Sequence, residues 1–145
     1  MIQNYKRSQH FKTIADWLEP IYMGPQDTHL SQLNRRLIES VCDYLEIRTV
    51  IRNSWDYELL DGKTERLAHL SRQVQAEEYV SGPAAKDYID EQIFKDMGIG
   101  LTWFDYGGYP EYPQLWGAFA HNVTILDLLF NCGPDSHRHM RYVQK

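Results

Sequence analysis

Residues 79–90, YVSGPAAKDYID, join a short apolar run to a helical pattern through Ser81-Gly82-Pro83, and the reading of that join decides the fold. Ser81 suits a helix N-cap, Gly82 lets the backbone bend, and Pro83 suits a first helical turn, where its missing N–H is no loss. The stretch predicts a strand over 78–80, a helix over 84–97 closed by Gly98, and a further strand over 99–104. Upstream, RTVIRN at 48–53 is short, β-branched and bounded by Ser54-Trp55-Asp56, which predicts another strand. Between them, Asp61-Gly62 opens a helix that continues through Leu67, Leu70 and Val74. Strand, helix, strand, helix, strand with short loops predicts an α/β fold: a small parallel-stranded sheet of about three strands, flanked by five or so helices.

Farther out, Phe11, Ile14, Ala15 and Leu18 lie at helical spacing, and Pro20 is expected to end that helix. Leu33, Leu37, Ile38, Val41, Cys42 and Leu45 form an apolar stripe that predicts a long helix over 30–45. A last helix is expected over 121–131, stopped by Gly133-Pro134, with residues 1–134 as one α/β domain and 135–145 as a polar tail. The 145 residues suffice for a core, and 15 basic against 20 acidic residues argue against general nucleic-acid binding. Cys42 and Cys132 lack CxxC spacing and read as buried thiols of a reducing compartment, which makes the cytoplasm the expected location. No apolar run is long enough for a membrane span, and MIQNYKRSQHF lacks the apolar region of a signal peptide.

In open parallel sheets, ligands sit beyond the carboxyl ends of the strands. Three turns are expected there: Ser54-Trp55-Asp56, Ser81-Gly82-Pro83 and Asp105-Tyr106-Gly107. At the second, Ser81, Gly82, Lys86 and Tyr88 are candidate ligand-binding residues, since backbone N–H groups at a helix start and a lysine one turn in would hold a phosphate or carboxylate. A surface lysine on a capped helix explains Lys86 as well. Gly62-Lys63-Thr64 is not a P-loop, because that motif needs glycine where Tyr57 stands. Asp127 interrupts the apolar run TILDLLF and shares a helical stripe with Thr124 and Asn131, facing either a site or solvent. The aromatic-rich loop over 104–119 reads either as ordinary packing at the domain edge or as a sugar or base platform. His121 after it is either a helix-start packing residue or a candidate general base at the start of the last helix. His137 and His139 have metal-ligand spacing but no rigid third ligand, so no metal site is expected, and the sequence names no cofactor. No GxSxG or Cys/His signature marks an activated nucleophile.

The blocks YVSGPAAKDYID, GIGLTWFDYGGYPEYPQLWGAF and ILDLLFNCGP together resemble the carboxyl-terminal portion of the WbqC-like protein family. The resemblance reaches back through NYKRSQHF and LSQLNRRLIESVCDYLEIRT and covers nearly the whole chain. It implies a setting among bacterial surface-polysaccharide and O-antigen gene clusters, and so a transferase-type biosynthetic enzyme acting on an anionic or activated small molecule. The recurrent family positions fall on Ser81, Gly82, Pro83, Lys86, Asp87 and Tyr88, on Tyr112 and Gln114, and on Asp127, Asn131 and Gly133. The expected roles are acceptor orientation by Tyr112 and Gln114, with Asp127 or His121 assisting proton transfer. Family members begin with a further amino-terminal stretch that this sequence does not show, so it resembles a shortened member, a split product or a fragment. If that stretch supplies an inner strand, a homodimer or partner chain is expected to cover the open sheet edge. The alternative is a non-enzymatic binding or assembly subunit that keeps the fold.

Overall fold

The structure, a computed structural model, describes residues 2–24 and 28–143. Among the described residues there are six α-helices: α1 (Ile2–Tyr5), α2 (Phe11–Met23), α3 (Leu30–Tyr44), α4 (Lys63–Gln73), α5 (Glu91–Asp96) and α6 (Ile125–Cys132). Two strands, β1 (Glu78–Ser81) and β2 (Gly100–Trp103), pair in parallel, with Glu78 opposite Gly100 and Ser81 opposite Trp103. The fold is mixed α/β and mostly helical. The chain divides into two compact units, one of Met1–Val50 with Gly108–Lys145 and one of Ile51–Gly107.

In the first unit, Ile14, Leu18, Leu45, Leu129 and Phe130 form the buried core. Phe130 stacks on Tyr5 at 4.7 Å and on Phe11 at 5.8 Å between ring centroids. Helix α2 runs through Pro20 instead of ending there. A proline inside a helix removes one hydrogen bond and costs about 3 kcal/mol. Pro20 is exposed, where water serves the freed carbonyl, while Ile14 and Leu18 on the other face each gain about 2 kcal/mol on burial. Helix α3 follows the apolar stripe, laying Leu37, Val41 and Tyr44 against the core. It closes with Glu46 at φ 60° and a bond from Ile47 N–H to the Cys42 carbonyl, a glycine-type helix end built without glycine. Helix α6 begins at Ile125, so His121 stands in the preceding loop and does not open the helix as expected. After it, Gly133–His139 wind as a 3-10 helix with Ser136 fully buried, its hydroxyl donating to the Gly133 carbonyl at 2.6 Å. Gly133 has φ 52° and ψ −126°, a conformation other residues avoid, and a Cβ there would lie 2.5 Å from the His10 ring.

The second unit packs α4, α5 and the inward face of the sheet around Ala68, Ala85, Ile89, Phe94 and Ile99. Tyr79 and Leu101 alternate inward along their strands, and Tyr79 stacks on Phe94 at 5.0 Å. Residues 48–53 are not a strand, which lowers the expected sheet from three strands to two. β-Branched residues favour a strand only where a half-buried pleated surface receives them, and Val50 is 71% exposed. Asn53 and Asp56 instead form a capping box around a 3-10 turn, Ser54–Asp56. The single helix expected over 84–97 is also divided, into a 3-10 turn (Pro83–Asp87) and α5. The cause is local. Thr64, buried in α4, donates to the Tyr88 carbonyl at 3.2 Å and accepts from Asp90 N–H at 3.1 Å, while the Asp90 carboxylate caps α5 by accepting from Gln92 N–H at 2.9 Å. Those bonds draw residues 88–90 out of helical geometry.

Candidate functional site

The three turns expected to hold ligands all fall in the second unit, and each closes on its own polar groups. The first is the Asn53–Asp56 capping box. In the third, the Asp105 carboxylate accepts from Gly107 N–H at 2.8 Å. At the second, Gly82 is extended at φ −69°, and its carbonyl accepts from Ala85 N–H at 3.0 Å. Gly82 is backed by the Tyr106 hydroxyl, 3.1 Å from where a Cβ would stand. Ser81 contributes its backbone to β1, accepting at 2.7 Å from Phe104 N–H. Lys86 is exposed and lies over the Trp103 ring at 5.4 Å. Tyr88 points to other ground, a surface depression of about 580 Å³ that it lines with Gly62, Lys63 and Arg66. Lys63 lies over its ring at 5.2 Å.

The first unit brings together Tyr112, Gln114, Asp127 and Asn131. The pattern put Asp127 either at a site or in solvent; it is buried, 8% exposed, in the first turn of α6. Its Oδ2 accepts from the Tyr112 hydroxyl at 2.8 Å and from Gln114 Nε2 at 3.0 Å, and its charge also acts on the Tyr5 hydroxyl. A carboxylate removed from water needs such donors, and the positive end of the helix favours it as well. Gln114 also donates to the Ala120 carbonyl at 3.0 Å and accepts from Ala120 N–H at 2.8 Å, clasping the loop between them. Asn131 Nδ2 donates to the Asp127 backbone carbonyl at 2.8 Å, one helical turn back. Gln114 and Asn131 are thus committed to protein groups.

Burial pushes the Tyr112 hydroxyl well above its ordinary pKa, against a lowering by Gln114, and the Asp127 carboxylate pushes it farther. Tyr5 is raised for the same two reasons, burial first and Asp127 second. Both hydroxyls are neutral at physiological pH. Cys132 is buried and its thiol is also raised, by desolvation and then by Asp135 and Asp127, so it is not an activated nucleophile.

Tyr112 links this cluster to a cavity of about 190 Å³ that it lines with Tyr109, Phe119, His121, His139 and Met140. Phe119 stands edge-on to Tyr112 at 5.0 Å and to His121 at 4.7 Å. His121 is exposed at the cavity and free of the helix. Sequence reasoning missed Tyr5 and His139. Neither spacing nor motif connects Tyr5 with Asp127, and the sequence marks His139 only by its metal-ligand spacing from His137. Among the described residues no group of three or more His, Cys, Asp or Glu side chains is placed to hold a metal, and no helix is long and apolar enough to cross a membrane.

The model of the WbqC-like protein family matches residues 1–139. An uncharacterised protein of Mycobacterium tuberculosis (strain ATCC 25618 / H37Rv), Rv1507c, is 56% identical over 142 residues, which cover 98% of this chain and 62% of that protein. The chain therefore spans less than two thirds of the length of this relative. No solved structure matches.

Proposed function

Because this chain belongs to the WbqC-like protein family, we propose that it acts as a transferase-type biosynthetic enzyme in the making of bacterial surface polysaccharide or a related metabolite, with its acceptor in the aromatic cavity. The observation that carries this reading is the meeting of His121 and an Asp127-anchored Tyr112 on one small cavity. In this scheme the acceptor hydroxyl loses its proton to His121 as its oxygen bonds to the transferred group of an activated donor. The bond from that group to the donor's leaving group breaks, and the leaving group departs with the electron pair. Tyr112, neutral and fixed by Asp127, donates a hydrogen bond only to that carboxylate and shapes the wall that orients the acceptor. Asp127 is a positioning residue, acting through Tyr112.

A thermal-shift panel of nucleotide sugars, acyl donors and amino acids tests the reading, since a ligand selective for the folded state raises its apparent stability. The expected result is a shift with one class, followed by transfer that His121→Ala slows by about 100-fold or more in a protein that still folds and binds. No shift with any class, or turnover unchanged in His121→Ala, overturns it. The first of these outcomes favours a non-enzymatic binding or assembly subunit.

A further inference from the structure

Among the described residues, the lining of the 190 Å³ cavity contains no lysine, arginine, aspartate or glutamate. The Asp127 carboxylate is joined to the cavity only through the lining residue Tyr112 and is met by Tyr112 and Gln114. Apart from the imidazoles of His121 and His139, a charged group entering this space would meet no ionisable side chain to offset its lost hydration among the described lining residues. The part of a ligand held here is therefore uncharged. It is also small: the volume of about 190 Å³ falls below the range of drug-sized pockets, about 300–1,000 Å³, which suits one substituted ring.

The walls also set its shape. Tyr112 and Phe119 meet at 86°, Phe119 and His121 at 84°, and Tyr112 and His139 at 65°. Each of these neighbouring pairs is crossed, so that at every junction one ring offers its edge and the other a single face. A puckered ring with an apolar C–H face and hydroxyls around its rim fits such walls, provided hydrogen-bonding groups meet the rim. His121 is one. His139 is the other: its ring lines the cavity, and its Nδ1 is shielded from solvent with no hydrogen-bond partner among the described residues. In a neutral imidazole one nitrogen carries the proton. Leaving Nδ1 bare avoids burying an unpaired N–H, so Nε2 is the donor left to serve the cavity.

We propose that this cavity binds a neutral, hydroxylated ring of pyranose size, with His139 as a second hydrogen-bonding residue beside His121. This deepens the transferase reading and rests on it for the identity of the ring as acceptor. It also separates the acceptor from any anionic part of the donor, which this cavity does not receive.

Ligand-observed NMR titration of the full chain tests it with three probes, a methyl hexopyranoside, the matching methyl hexopyranosiduronate and uridine. The hexoside is expected to bind at least about tenfold more tightly than either of the others, since one missing or unpaired polar contact is worth about that factor. His139→Phe is expected to weaken the hexoside by about tenfold, while His139→Gln, which restores a donor, stays within about threefold of the parent. Absence of hexoside binding, equal or tighter binding of the uronate or uridine, or parental affinity in a folded His139→Phe protein overturns the proposal. Should His139→Phe not fold, the three-probe comparison on the parent protein decides. The two readings fail differently. Transfer to a hexoside that ignores His139 sinks this inference and spares the transferase; hexoside binding that needs His139, with no transfer from any donor, does the reverse.

Discussion

The Ser81–Tyr88 stretch and the Tyr112–Asn131 stretch use similar residue types, yet they organise them in opposite ways. In the first, Lys86, Asp87 and Tyr88 are exposed, the turn closes through the Gly82 carbonyl, and Lys86 rests on Trp103. In the second, a buried carboxylate gathers hydroxyl and amide donors, and one of those donors also lines a cavity. The first arrangement is what a capped turn needs to exist. The second exceeds what α6 needs, because an apolar residue at position 127 would remove the desolvation of a charge and the need for its donors. A buried polar cluster beside a cavity is a stronger mark of function than an exposed turn of favourable composition.

Substitutions at the two stretches should separate them. Asp127→Ala leaves the Tyr112 and Gln114 donors short of their acceptor inside the first unit and is expected to cost about 3 kcal/mol in chemical denaturation. Ser81→Ala removes a half-buried hydroxyl at the end of β1 and is expected to cost less than about 1 kcal/mol. Equal losses would erase the contrast. A pair of glycines sharpens it further. Gly133→Ala combines a disfavoured φ with a clash against His10 and should cost about 2–3 kcal/mol, whereas Gly82→Ala keeps an ordinary φ and meets only the hydroxyl of Tyr106, itself 67% exposed, for less than about 1 kcal/mol.

The smallest effect is in pH. A free tyrosine ionises near pH ~10, and Tyr112 and Tyr5 are both raised in the folded chain. Their folded forms hold protons that the unfolded chain has released, so the stability they contribute is complete below pH ~10 and is lost as pH rises through the folded values. Denaturation midpoints should fall in alkali, and the fall should be shallower in Tyr112→Phe. An unchanged slope would mean that the hydroxyl is not held as described.

Much of the architecture was legible because it follows from periodicity. The stripe from Leu33 to Leu45 places α3, and the runs around Tyr79 and Leu101 place the two parallel strands. Periodicity failed where a tertiary partner decides. Residues 48–53 have strand composition and no partner strand, and residues 84–97 have helical spacing that Thr64 interrupts from α4. Asp90, followed by Glu91 and Gln92, carried a helix-start signal that outweighed the longer pattern. At the site, the Asp127 and Asn131 pair was visible from its four-residue spacing. Tyr112 and Gln114 reach Asp127 across a loop that no spacing rule spans, and only the family blocks had singled them out.

The central claim, that ligand chemistry belongs to the aromatic cavity and not to the Ser81–Tyr88 turn, is most directly tested by amide chemical-shift mapping with the hexoside and with any donor found in the thermal panel. The account predicts that the hexoside perturbs residues 109–121 together with His139 and Met140 and leaves residues 81–88 unmoved. Perturbation confined to 81–88, with the cavity residues unchanged for every ligand that binds, would contradict it.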